Sequence, residues 1–174
     1  ENARIIREVI SSDMWERLNF YHLWLQSPTA KELYYDNRHE FYGQIKRINQ
    51  LLHGIGEATM SHGEAWDFFN LGKYLERGCQ TARVLDVKYH TLLPKVEQVG
   101  SPVDHAHWVA ILMSCSGYEP FHKLPRGPHD TGIAVAEFLL YDELFPRSVR
   151  RCLMECRDAA ARILASCGAL IWRF

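Results

Sequence analysis

Apolar residues recur at helical spacing along nearly the whole chain, and nowhere do they alternate with the period of two that a half-buried strand requires. From Glu1 to about Leu25 the row Ile5, Ile6, Val9, Ile10, Met14, Trp15, Leu18, Tyr21, Leu23, Trp24 and Leu25 predicts a long amphipathic helix that Pro28 ends. Ser11, Ser12 and Asp13 offer a cap at which this segment could restart after a kink, which leaves one helix or two open. Phe41, Ile45, Ile48, Leu51, Leu52 and Ile55 form the stripe of a second helix from about Asn37 to Ala58. A third follows from Ser61, with Glu64 three residues later in the pattern of a capping box, and meets no breaker before Pro94. Its inner stripe reads Phe68, Leu71, Gly72, Leu75, Cys79, Ala82, Leu85 and Tyr89. The small residues Gly72, Gly78, Cys79 and Ala82 would admit another backbone closely.

Beyond the Gly100-Ser101-Pro102 break, Asp104 to Ser114 predicts a shorter fourth helix carrying Trp108, Ile111 and Leu112. Pro120, Pro125, Gly127 and Pro128 make Tyr118 to Asp130 an irregular connection. Thr131 to Tyr141 is the fifth helix, with Val135, Phe138 and Leu139 inward, and Ser148 caps a sixth through Val149, Leu153, Cys156, Ala160 and Leu164. The expected fold is all-α: an antiparallel bundle of about six helices, without a sheet, forming one unit over residues 1–174.

A chain of 174 residues with 47% hydrophobic residues is large enough to bury a substantial core. Its net charge of −1 lacks the basic footprint of a nucleic-acid binder. No apolar run approaches the roughly 20 residues that span a bilayer, so a cytoplasmic protein is expected. The chain opens at Glu1 in helical rhythm without a methionine, which suggests further sequence upstream, and the apolar end Ala169 to Phe174 suits a docked tail or a partner surface.

The five cysteines are odd in number and lack CxxC spacing, and read as free buried thiols. Cys152 and Cys156, four apart on a helix, and Asp104-His105-Ala106-His107 resemble metal ligands on paper. Core packing suits the cysteines better, and histidines two apart on a helix face nearly opposite ways, so no metal is expected. No Walker or dinucleotide loop, GxSxG elbow or Cys–His protease pattern occurs, so no cofactor is called for and a nucleophilic hydrolase is disfavoured.

The remaining chemistry lies on the third helix. Adjacent Glu76 and Arg77 are about 100° apart around it and do not pair with each other. Glu76 shares a face with Lys73, Gln80 and Arg83, whereas Arg77 lies beside Tyr74 and Thr81. Were Glu76 buried, Arg4 or Arg7 of the opening segment would be available as its counterion. An internal ion network and a charged cleft for a carboxylate or phosphate both fit. His62 and Glu64, at the start of the helix, add a candidate anion site or an acid–base pair, although residues two apart need a non-helical kink to converge.

The stretch Thr59 to Asp86, which includes Tyr74-Leu75-Glu76-Arg77-Gly78-Cys79-Gln80-Thr81-Ala82-Arg83-Val84-Leu85-Asp86, resembles the alpha-E family, helical bacterial proteins named for a Glu-Arg motif. Glu1-Asn2-Ala3-Arg4 with Ile10 to Glu16, Glu137 to Leu140, and Phe145 to Arg150 carry the same resemblance. The resemblance places the motif at Glu76 and Arg77, with Arg83 following on the same helix. It further implies tandem copies, residues 1–60 ending the first and 61–174 supplying most of the second. It also implies a role beside ATP-grasp ligases, transglutaminase-like proteins and a proteasome-like peptidase in peptide synthesis or modification. The function expected on this basis is a binding or scaffold subunit that holds a peptide or docks a partner ligase. The alternative is an amide-forming or amide-cleaving enzyme with Glu76 as general base and Arg77 or Arg83 holding a carboxylate.

Overall fold

A computed structural model describes residues 2–90, 99–125 and 132–171, the last four by their backbone alone. These residues form helices throughout, with no strand among them. The chain divides into two compact units, Glu1–Trp66 and Asp67–Phe174.

In the first unit, α1 (Asn2–Ile5) is a single turn, and α2 (Ser12–Gln26), α3 (Pro28–Asp36) and α4 (Arg38–Thr59) pack on one another. The break left open in the sequence is real. Ser11 is the N-cap of α2, its hydroxyl accepting from the Met14 amide at 3.2 Å. Helix α3 is a correction: Pro28 does not merely stop α2 but opens the next helix at its first turn, with Ser27 capping it through the Ala30 amide. Helices α2 and α4 run antiparallel, since the Ser11 and Thr59 hydroxyls meet at 2.6 Å at one end and Trp24 stacks on Phe41 at 5.7 Å at the other.

In the second unit, α5 (Glu64–His90), which starts in the last residues of the first, is followed by α6 (Pro102–Ser114), α7 (Tyr118–His122), α8 (Gly132–Tyr141) and α9 (Val149–Ile171). The described residues thus hold nine helical segments where about six were expected, the additions being α1 set apart from α2, α3 and the single-turn α7. Ser148 caps α9 as its position implies, accepting from the Arg151 amide at 3.0 Å. The proline- and glycine-rich stretch at 126–131 and the Pro94 breaker lie outside the described residues.

Helices α5 and α9 are antiparallel. Asp67 meets Arg162, the Leu71 carbonyl accepts from Cys156, Gly78 faces Cys152, and Thr81 donates to the Arg147 carbonyl, so one numbering rises as the other falls. Gly78 permits this approach, because a Cβ there would lie 3.1 Å from the Cys152 Cβ. The core of the unit comprises Ile111, Leu112, Cys115, Val135, Phe138, Leu139 and Phe145, with Val84 and Leu85 of α5 packed against it. Gly132 opens α8 against the Trp108 indole, which leaves no room for a Cβ.

Candidate functional site: the Glu76–Arg77 turn of α5

The face that α5 turns inward is not the one its apolar residues suggest. Phe68 is 53% exposed, Leu75 54% and Tyr89 69%, and Gly72, Cys79 and Ala82 of the expected stripe are exposed as well. The buried positions are Trp66, Asp67, Asn70, Gly78, Thr81 and Lys88, with Tyr74, Arg77, Val84 and Leu85 half-buried between them. These follow one helical face, but a largely polar one, made inward by partners on α6 and α9.

Glu76 and Arg77 are split by this rotation. Glu76 lies on the solvent side, its carboxylate accepting from Gln80 Nε2 at 2.5 Å and lying 4.0 Å from the Arg83 guanidinium. Both partners come from its own helix, at the spacing that brings side chains together on one face. A counterion from the opening segment is therefore not required: Arg7 lies over the Trp15 ring at 5.2 Å, and Arg4 is exposed. Arg77 turns toward α9, its guanidinium over the Tyr74 ring at 5.3 Å. Among the described residues it has no carboxylate within ion-pair distance.

The Glu-Arg dipeptide occurs twice in the chain, at Glu16–Arg17 in α2 and at Glu76–Arg77 in α5. Both members of the first are exposed, whereas Arg77 is packed. The family model described as Alpha-E, a predicted alpha-helical domain with a conserved ER motif, matches residues 1–169. The chain belongs to the Alpha-E family. No curated protein and no solved structure matches it.

Around Arg77 this Alpha-E chain assembles a polar cluster that sequence reading did not foresee. Lys73 Nζ lies 4.4 Å from the Tyr74 ring centre and donates to Asn70 Oδ1 at 2.5 Å. On α9, Arg151 pairs with Glu155 one turn on. Burial pushes the Tyr74 hydroxyl above its ordinary range, Glu155 adds to this, and Arg77 and Arg151 oppose it. The Cys152 thiol is likewise raised by burial, with Arg77 opposing, and it donates to the Pro146 carbonyl at 3.6 Å. A buried, protonated thiol of this kind is a poor nucleophile. Sequence spacing did signal one component, Tyr74 beside Arg77; Arg151 and Glu155 required the α5–α9 packing.

Two further ion pairs were missed. Lys88, 1% exposed, donates to Asp104 Oδ1 at 2.5 Å, and the Gly100 amide donates to Oδ2 at 3.1 Å. The Lys88 ammonium also lies 5.2 Å from the Trp108 ring centre. Its hydrogen bond holds the Asp104 carboxyl below the ordinary carboxylate range, with the Gly100 amide assisting against desolvation. At the start of α5, Arg162 Nε donates to the buried Asp67 at 2.6 Å. The signal was the i, i+3/i+4 series of polar residues ending at Lys88, which a hydrophobic reading assigns to solvent.

His62 and Glu64 do not form a pair. The His62 ring stacks on Trp66 at 4.6 Å, and its Nε2 is 3.2 Å from the Glu57 carbonyl. Helix α5 begins at Glu64, so Glu64 is its first residue and not the third, and the capping-box register with Ser61 is not realised. Among the described residues no three His, Cys, Asp or Glu side chains gather as a metal ion requires, and no helix is long and apolar enough to cross a membrane. Cys152 and Cys156 point instead to backbone carbonyls.

Proposed function

We propose that this Alpha-E chain is a binding or scaffold subunit of an ATP-grasp-associated peptide synthesis or modification system, with the Arg77 turn of α5 as its docking point. The observation that carries this reading is a half-buried arginine, its guanidinium over the Tyr74 ring, with no carboxylate partner among the described residues. A structural arginine in such a position would ordinarily be matched by an acid, as Lys88 is by Asp104. Binding is favoured over the amide-forming or amide-cleaving alternative by the placement of Glu76. That carboxylate is 66% exposed and engaged by Gln80 and Arg83, whereas a general base works best poised and desolvated beside the reacting group.

The test is affinity capture of the tagged protein from its native cell, comparing wild type with a folded Arg77→Ala variant. Recovery of an ATP-grasp ligase or a transglutaminase-like protein by wild type, lost in the variant, is the expected result. Equal recovery by both would move the docking point elsewhere. Amide turnover abolished by Glu76→Gln in a folded protein would establish the enzymatic reading instead.

A further inference from the structure

At the α5–α9 seam, cations outnumber acids in a protein that is otherwise near neutral. Lys73 lies against the Tyr74 ring at 4.4 Å and Arg77 at 5.3 Å, and Arg151 stands on α9 beside Cys152, which packs on Gly78. The acid paired with Arg151 is Glu155; Glu76 directs its carboxylate to Gln80 and Arg83. Among the described residues, Arg77 and Arg151 against the carboxylate of Glu155, around a half-buried phenol, leave a net positive site. The Arg77 fork is stacked against an aromatic ring, so little side-chain freedom remains to be lost when an anion arrives.

We propose that Arg77 and the Tyr74 hydroxyl grip an oxyanion at this seam, the C-terminal carboxylate of a peptide or a phosphate group, with Arg151 as the second cation. The inference rests on the reading of Arg77 as a binding residue and gives that residue a ligand chemistry. A planar guanidinium matches the two oxygens of a carboxylate, and the phenol supplies a further donor. Glu155 competes with the ligand for Arg151, so this acid sets how strongly the site attracts an anion.

The experiment is isothermal titration calorimetry of the full chain with three probes: N-acetyl-alanyl-alanine, its C-terminal amide and inorganic phosphate. The carboxylate peptide is expected to bind about tenfold more tightly than the amide, the size of one charge-assisted hydrogen bond. Arg77→Gln should erase that difference and Glu155→Gln should enlarge it, which removal of a packing contact would not do. Circular dichroism checks the fold of each variant, and Tyr74→Phe with Glu155→Gln decides the matter should Arg77→Gln fail to fold. Phosphate binding with the same dependence on Arg77, the peptides being silent, would keep the oxyanion site and name phosphate as its occupant. Equal binding of carboxylate and amide, or no heat from any probe at about 10 mM, overturns the proposal. Partner capture lost in Arg77→Ala without oxyanion binding would leave the docking function standing and remove this site.

Discussion

Two charged places on α5, eleven residues apart, are built on opposite principles. At Lys88 the cation is sealed from water, meets Asp104 on α6, and the acid's second oxygen is taken by the Gly100 amide. At Arg77 the cation is half-buried and stacked, and the neighbouring glutamate faces away. A buried pair satisfied on all sides fixes how helices meet, and removing one member strands the other. A preoriented cation without an acid contributes little to the fold and remains ready for a ligand. One helix therefore carries a buried ion pair and the residue proposed to bind, and the difference lies in what packs opposite each.

The largest loss is expected at Lys88. Lys88→Met should cost about 3 kcal/mol in urea unfolding, the low end for a severed buried pair because Asp104 keeps the Gly100 amide. The double variant Lys88→Met/Asp104→Leu should recover much of the loss. The same pair sets a pH dependence. Asp104 has a lowered pKa in the folded state, so its contribution is present above the unfolded value of about 3.9 and is lost as pH falls through the lowered one. A urea titration between neutral and acidic pH should show that loss in wild type and a smaller one in Asp104→Asn.

Smaller effects separate the two faces of α5. Gly78→Val pushes against Cys152 and should destabilise by about 1–3 kcal/mol. At Gly72 a Cβ would meet no atom within 4 Å, so Gly72→Ala should stabilise the helix by up to about 1 kcal/mol. Thermal melting of the two variants would reverse order if the expected apolar stripe were the buried one. Smallest of all, Glu76→Gln should shift stability by no more than about 0.5 kcal/mol, because both its partners are exposed side chains of the same helix.

Helix identity was legible where capping and periodicity agreed: Ser148 before α9 and Ser11 before α2 cap the helices they announce. Pro28 misled because the same residue that stops one helix is favoured in the first turn of the next. The inward face of α5 was illegible for a stronger reason. Asp67, Thr81 and Lys88 are buried through partners at Arg162, Arg147 and Asp104, remote in sequence, while Phe68, Leu75 and Tyr89 remain exposed. Hydrophobic periodicity assumes that apolar residues point inward and has no means of anticipating such long-range pairings. Within the candidate site, spacing separated Glu76 from Arg77 and placed Tyr74 beside the latter; Arg151 and Glu155 join only through the fold.

Whether Arg77 is held for binding and Lys88 for the fold is decided by equilibrium urea unfolding of Arg77→Gln beside Lys88→Met. The expected result is that Arg77→Gln loses no more than about 1 kcal/mol, the worth of an arginine stacked on a ring at a partly exposed site. A loss as large as that of Lys88→Met would make Arg77 a structural element and erase the distinction between the two sites.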